Sequence, residues 1–122
     1  SHHILKKIIH LTTCNTCQRI ISEITPSSDV VLQDIKTEPL TEDQVVAMKE
    51  MSGSYESLFS KRAQLYRKRG LNEQSLSEED FKNLILEHYT FLKRPVMIVD
   101  NQIFVGNSKK VVAAAVEVFS KV

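Results

Sequence analysis

The sequence predicts an α/β fold: a four-stranded mixed sheet flanked by helices, with a helical insertion between a βαβ half and a ββα half. Three observations carry this. Apolar residues run in a strand, helix, strand pattern over residues 5–35, turn helical after residue 41, and return to strand spacing over 95–105 before a last helix. Asp100-Asn101, between two apolar runs, suits the tight turn of a hairpin. The 122 residues are enough to bury about two thirds of the unfolded surface as one domain, spanning 1–122, without staples.

Each element has its own signal. "LKKIIHL" (5–11) is rich in β-branched and apolar residues and stops at Thr12-Thr13, as a short buried strand does. Cys17, Ile20, Ile21 and Ile24 then recur at helical spacing until Pro26. "VVLQDI" (30–35) reads as a second strand. Thr41 and Gln44 form a capping box ahead of Val45, Val46, Met48 and Met51, and Gly53 closes that helix. A helix is expected from Tyr55 to Arg69, ended by Gly70, with Tyr55, Phe59 and Tyr66 packing into the core. Ser77 and the acidic residues after it start another, which buries Phe81, Leu84 and Ile85. "PVMIVDNQIFV" (95–105) gives two strands, and Asn107 or Ser108 caps a final helix carrying Val111, Val112, Ala115, Val116 and Phe119. A βαβ unit makes its strands parallel with a right-handed crossover, and the hairpin must extend that sheet. This order is the thioredoxin-like plan.

Composition narrows the function. Charged residues are 25% and the net charge is +1, so no global field recruits nucleic acid or an anionic membrane. No apolar run approaches the ~20 residues that span a bilayer, and no export signal is evident, so a cytoplasmic protein is expected. Cysteines there are normally reduced.

Cys14 and Cys17 are the informative pair. They stand where a strand turns into a helix, as a redox pair, half of a metal site, or two small core residues. As a redox pair, Cys14 lies where free backbone N–H groups and the helix dipole stabilise a thiolate, and is the nucleophile. Cys17, one turn later on the same face, is the resolving thiol. A metal site needs four ligands, and beyond the terminal histidines only His10 and His88 remain, neither at a finger-like spacing; no metal is expected. Two buried hydrophobes is the third reading. Pro95, at the start of a strand, occupies one of the few places where a sheet admits proline. His10 lies within a strand and is assigned no function.

These residues resemble the arsenate reductase family of thioredoxin-fold proteins, with its Spx-type and glutaredoxin-like members. The likeness rests on Cys14-Asn15-Thr16-Cys17, "DIKTEPLTEDQV" (34–45), "LFSKRAQLYRKRGL" (58–71) and "LKRPVMIVDNQIFVG" (92–106), and so covers nearly the whole chain. It implies that Cys14 attacks an oxyanion or a disulfide, that Arg94 binds the anion beside a cis Pro95, and that Thr13, Asn15 and Arg62 contribute to substrate binding. It departs from arsenate-specific members at Ser60, where they carry a basic residue, and at Val105-Gly106-Asn107-Ser108, where a third arginine is missing. Both departures argue against arsenate as the physiological substrate.

The resemblance further implies no bound cofactor, an external thiol reductant (glutathione with glutaredoxin, or thioredoxin), a thiol-reductase partner, no nucleic acid or membrane partner, and a monomer. The enzyme reading is a thiol-dependent oxidoreductase with Cys17 resolving the adduct. The alternative is an Spx-type redox-switched regulator that binds the RNA polymerase α subunit. Spx-type proteins carry a tail beyond the last helix, whereas this chain ends at Val122, which favours the enzyme.

Overall fold

A computed structural model describes residues 5–121. The described chain consists of β1 (Lys6–His10), α1 (Asn15–Ile24), β2 (Val31–Asp34), α2 (Glu42–Ser52), α3 (Gln64–Lys68), α4 (Glu78–Glu87), β3 (Val96–Val99), β4 (Gln102–Val105) and α5 (Lys109–Lys121). It divides into two units: the residues up to Glu38 together with those from Arg94 onward, and Pro39–Lys93 between them.

The first unit holds the sheet, in the order β2-β1-β3-β4. β1 runs parallel to β2 and antiparallel to β3, and β3 pairs antiparallel with β4, which makes the expected mixed sheet. All four residues of β3 are buried, as its run of Val96, Met97, Ile98 and Val99 requires. Ile8 and Met97 are direct cross-strand partners. With Val99 they pack against Ile20 and Ile24 of α1 and Ala115 and Phe119 of α5. Each large side chain so buried contributes about 1.5–3 kcal/mol before the entropy of ordering it is counted. The hairpin turn forms at Asp100-Asn101, where Asp100 takes a φ of 56° that few residues other than glycine, asparagine and aspartate tolerate. Ser108 supplies the cap of α5 through its Oγ, which accepts from the Val111 N–H at 3.2 Å.

The second unit is helical. Thr41 and Gln44 bond reciprocally at the start of α2, and Gly53 ends that helix with φ 102°, its N–H on the Lys49 carbonyl at 2.7 Å. Ser77 and Asp80 make the same reciprocal pair ahead of α4.

Residues 55–69 do not form one helix. A 3-10 turn spans Glu56–Leu58, Phe59 is extended, and α3 covers only Gln64–Lys68. Pairing with a distant segment outweighs local helix preference here. Phe59 bridges antiparallel to Leu92, the Ser60 N–H bonds the Phe91 carbonyl at 2.7 Å, and the Lys93 N–H bonds the Leu58 carbonyl at 2.8 Å. These bonds occupy backbone groups that a helix would have paired locally. The Phe59 ring, 1% exposed, stacks on Phe91 at 5.3 Å and meets Phe81 and Tyr66 at 4.9 and 5.6 Å. The expected core role of Phe59 is met without the expected helix.

Candidate functional site

β1 ends at His10, and four residues separate it from the start of α1 at Asn15. Cys14 is the N-cap residue, with extended backbone (φ −90°, ψ 109°). Its N–H bonds the Leu11 carbonyl at 2.9 Å, and its own carbonyl accepts from the Gln18 N–H at 3.1 Å. The thiol therefore stands beside the unpaired N–H groups of the first helical turn. Cys17, one turn on, shares the inward stripe of Ile20 and Ile24 and is fully buried, whereas Cys14 is half-buried.

The two thiols are driven apart. Burial pushes Cys17 up to about 12, aided by the hydrogen bond and the charge of Cys14, and a bond from the Leu11 backbone only partly opposes this. Burial also works to raise Cys14, but it is outweighed. The Cys17 backbone N–H, the Cys17 thiol, the Arg94 guanidinium and the Thr16 backbone N–H together hold Cys14 below the ordinary thiol value. So Cys17 stays protonated and donates to a Cys14 poised to ionise.

Arg94 belongs to the same unit and lies two residues ahead of β3. It is half-buried, and its charge lowers both thiols. The Arg94–Pro95 peptide bond is cis, Pro95 is buried, and the next residue, Val96, is the cross-strand partner of Ile9 in β1. Pro95 is further tied by its carbonyl, which accepts from the Gly106 N–H at 2.9 Å. Thus Cys14, Cys17 and Arg94 interact within one unit. Thr13 and Asn15 flank Cys14 and are exposed. Arg62 is exposed in the helical unit, in the turn before α3, and Ser60 lies two residues earlier. His10 is buried, and its Nδ1 has no hydrogen-bond partner among the described residues. Among the described residues there is no group of three or more His, Cys, Asp or Glu side chains placed to hold a metal ion. No described helix is long and apolar enough to cross a membrane.

Residues 9–115, which include both cysteines and Arg94, match the model of the ArsC family. The chain belongs to the ArsC family. It is 27% identical over 93 residues to an arsenate reductase of Yersinia enterocolitica, covering 75% of this chain and 66% of that one. It is 26% identical over 96 residues to the global transcriptional regulator Spx of Bacillus subtilis, covering 77% and 73%. An arsenate reductase from Vibrio cholerae has the same fold, with a TM-score of 0.71 at 15% identity over 95% of this chain and 98% of that one.

One pair in this ArsC-family site was not singled out from the sequence. Asp34, at the end of β2, accepts with Oδ2 from the Thr12 N–H at 3.1 Å and from the Thr12 hydroxyl, and with Oδ1 from the Lys36 N–H at 2.8 Å. These bonds, the Thr12 hydroxyl first, hold the Asp34 carboxyl down at about 2. The turn onto Lys36 is ordinary aspartate chemistry at a strand end. The bonds to Thr12, 22 residues away in sequence, follow from the parallel register that sets His10 beside Asp34.

Proposed function

We propose that this ArsC-family chain is a thiol-dependent oxidoreductase with Cys14 as nucleophile and Arg94 as anion ligand. The observation that carries the proposal is the placement of the two thiols, Cys14 half-buried at the N-cap of α1 and under the charge of Arg94, Cys17 fully buried one turn on. On a disulfide, the Cys14 thiolate attacks one sulfur, a mixed disulfide forms, and the other sulfur leaves as a thiolate. A second thiol then attacks the Cys14 sulfur and releases the first half as a thiol. On an arsenate-type oxyanion, the Cys14 sulfur displaces an oxygen as water from the pentavalent centre. Attack of a second thiol on that sulfur leaves two electrons on the centre, now trivalent, and a disulfide on the protein. The Arg94 fork suits the oxyanion because it can grip two oxygens at once.

Cys17 supplies the second thiol within the chain. When Cys14 is bonded to substrate it no longer carries the charge that helps to raise Cys17. Burial still opposes ionisation, so an external thiol such as glutathione with glutaredoxin, or thioredoxin, competes for the same step and regenerates the enzyme. The reading places the protein in the reducing cytoplasm, with Thr13, Asn15 and Pro95 beside Cys14 and Arg94 as substrate-binding residues, Arg62 of the helical unit as a separate candidate anion ligand, and no metal required. The likeness to Spx, with a Cys14–Cys17 pair close enough to hydrogen bond, supports a second reading. In it the disulfide switches affinity for the RNA polymerase α subunit.

Treatment with a sub-stoichiometric alkylating agent near neutral pH should label Cys14 almost alone, as mapped by mass spectrometry. Dominant labelling of Cys17 would reverse the assignment. Arsenate and a small disulfide, each assayed with glutathione plus glutaredoxin and with thioredoxin, should show turnover that Cys14→Ser abolishes. If neither substrate is turned over, and the α subunit is captured only by one redox form, the regulator reading holds instead.

A further inference from the structure

We infer that Asp34 is a positioning residue for Cys14, acting through Thr12. Cys14 makes no side-chain cap bond, so its place is set by backbone: its carbonyl accepts from the Gln18 N–H of α1, and its N–H ties it to the turn that leads into the helix. Leu11 is buried, and its carbonyl takes the Cys14 N–H at 2.9 Å. The two residues between them, Thr12 and Thr13, are exposed, so a side-chain hold on this turn has to come from outside the buried core. The Asp34 carboxylate fills that role. It grips the Thr12 N–H and hydroxyl from the end of β2, and is itself fixed by the Lys36 N–H at 2.8 Å and by the parallel pairing of Asp34 with His10. Backbone bonds to the Asp34 carbonyl and from Ile35 to the His10 carbonyl, at 2.8 and 2.9 Å, brace the same corner.

This matters because the donors that stabilise the Cys14 thiolate are directional. The N–H groups of Thr16 and Cys17 and the Cys17 thiol belong to α1, while Arg94 belongs to the segment entering β3. The hydrogen bonds among them act only on a sulfur held at the helix start, since a hydrogen bond weakens steeply once its angle or length is lost. With the grip on Thr12 released, the Leu11–Cys14 turn samples other conformations and the thiolate loses part of its support.

The sign of the effect separates this from simple electrostatics. Removing the negative charge of Asp34 would, through charge alone, make Cys14 easier to ionise. Removing its grip makes Cys14 harder to ionise. Arg94 acts on Cys14 through its charge and Cys17 through its hydrogen bonds, and both are unchanged by the substitutions below.

The test is the rate of Cys14 alkylation by iodoacetamide as a function of pH, on Asp34→Ala, Thr12→Val and Thr12→Ser, with thermal melts alongside. Asp34→Ala and Thr12→Val should raise the midpoint by about half a unit to one unit, the scale on which loss of a hydrogen bond to the charged form acts. Thr12→Ser, which keeps both donors, should stay at the wild-type midpoint. If Asp34→Ala does not fold, the exposed Thr12 pair decides by itself. An unchanged midpoint in Thr12→Val, or an equal shift in Thr12→Ser, overturns the inference. The inference rests on Cys14 being the reactive thiol. A wild-type midpoint in the ordinary thiol range would sink that reading along with the latch, whereas a low midpoint indifferent to Thr12→Val sinks the latch alone.

Discussion

Arg94→Lys should lower kcat/KM for an oxyanion substrate by about 30- to 1000-fold, corresponding to roughly 2–4 kcal/mol of lost transition-state stabilisation. Lysine keeps the charge but not the planar fork that grips two oxygens. Because the charge is retained, the alkylation profile of Cys14 should move little. The loss should be smaller for a neutral disulfide, whose attack develops negative charge on sulfur without offering oxygens to a fork. Arg94→Gln makes the complementary point: with the guanidinium gone, Cys14 should ionise at higher pH and both substrates should suffer near neutrality. The melting temperature serves as control, since Arg94 is half-buried and makes no ion pair among those of the described residues. Equal kinetics for wild type and Arg94→Lys on both substrates, with the fold intact, would make Arg94 a bystander.

Phe59→Ala should destabilise the protein by about 3–5 kcal/mol, a large share of the roughly 5–15 kcal/mol that holds a domain of this kind together. Phe59 is 1% exposed, and its ring contacts three others within 5.6 Å. Truncation removes the transfer energy of the ring and leaves a cavity that a bridge between two chain segments cannot easily collapse. The aromatic contacts add about 0.5–1.5 kcal/mol per pair. Phe59→Leu should recover a good part of the loss. Urea unfolding measures both, and a cost below about 1 kcal/mol for the alanine variant would mean that the ring is not the centre of the helical unit's core.

The sequence was legible where a local rule decides the outcome. Thr41 with Gln44 and Ser77 with Asp80 cap helices because the bonds involved span three residues, and Asp100 turns the hairpin because its own backbone tolerates positive φ. Cys14 could be placed at a helix start from its strand-to-helix context alone. Where a distant partner decides, the reading failed. Phe59 sits in a stretch with helical spacing, yet Leu92, 33 positions on, draws it into an extended bridge. Likewise nothing near Thr12 points to Asp34; only the parallel register of β1 and β2 brings them together. The division between the cysteines lies between these cases. Spacing puts Cys17 on the stripe of Ile20 and Ile24, but the depth of its burial depends on how α1 lies against the sheet and α5.

β1 is an inner strand, paired along both edges, and Cys17 is fully enclosed in the helix that follows it. Amides and side chains in such a position reach solvent only through the larger opening events of a fold, those that cost close to its whole unfolding free energy. The second cysteine is therefore a built-in gauge. In a Cys14→Ser background, the rate at which a thiol reagent consumes Cys17 is the rate for a free thiol multiplied by the fraction of time the sheet unit spends open. A chain of this kind reports its own breathing without an added probe.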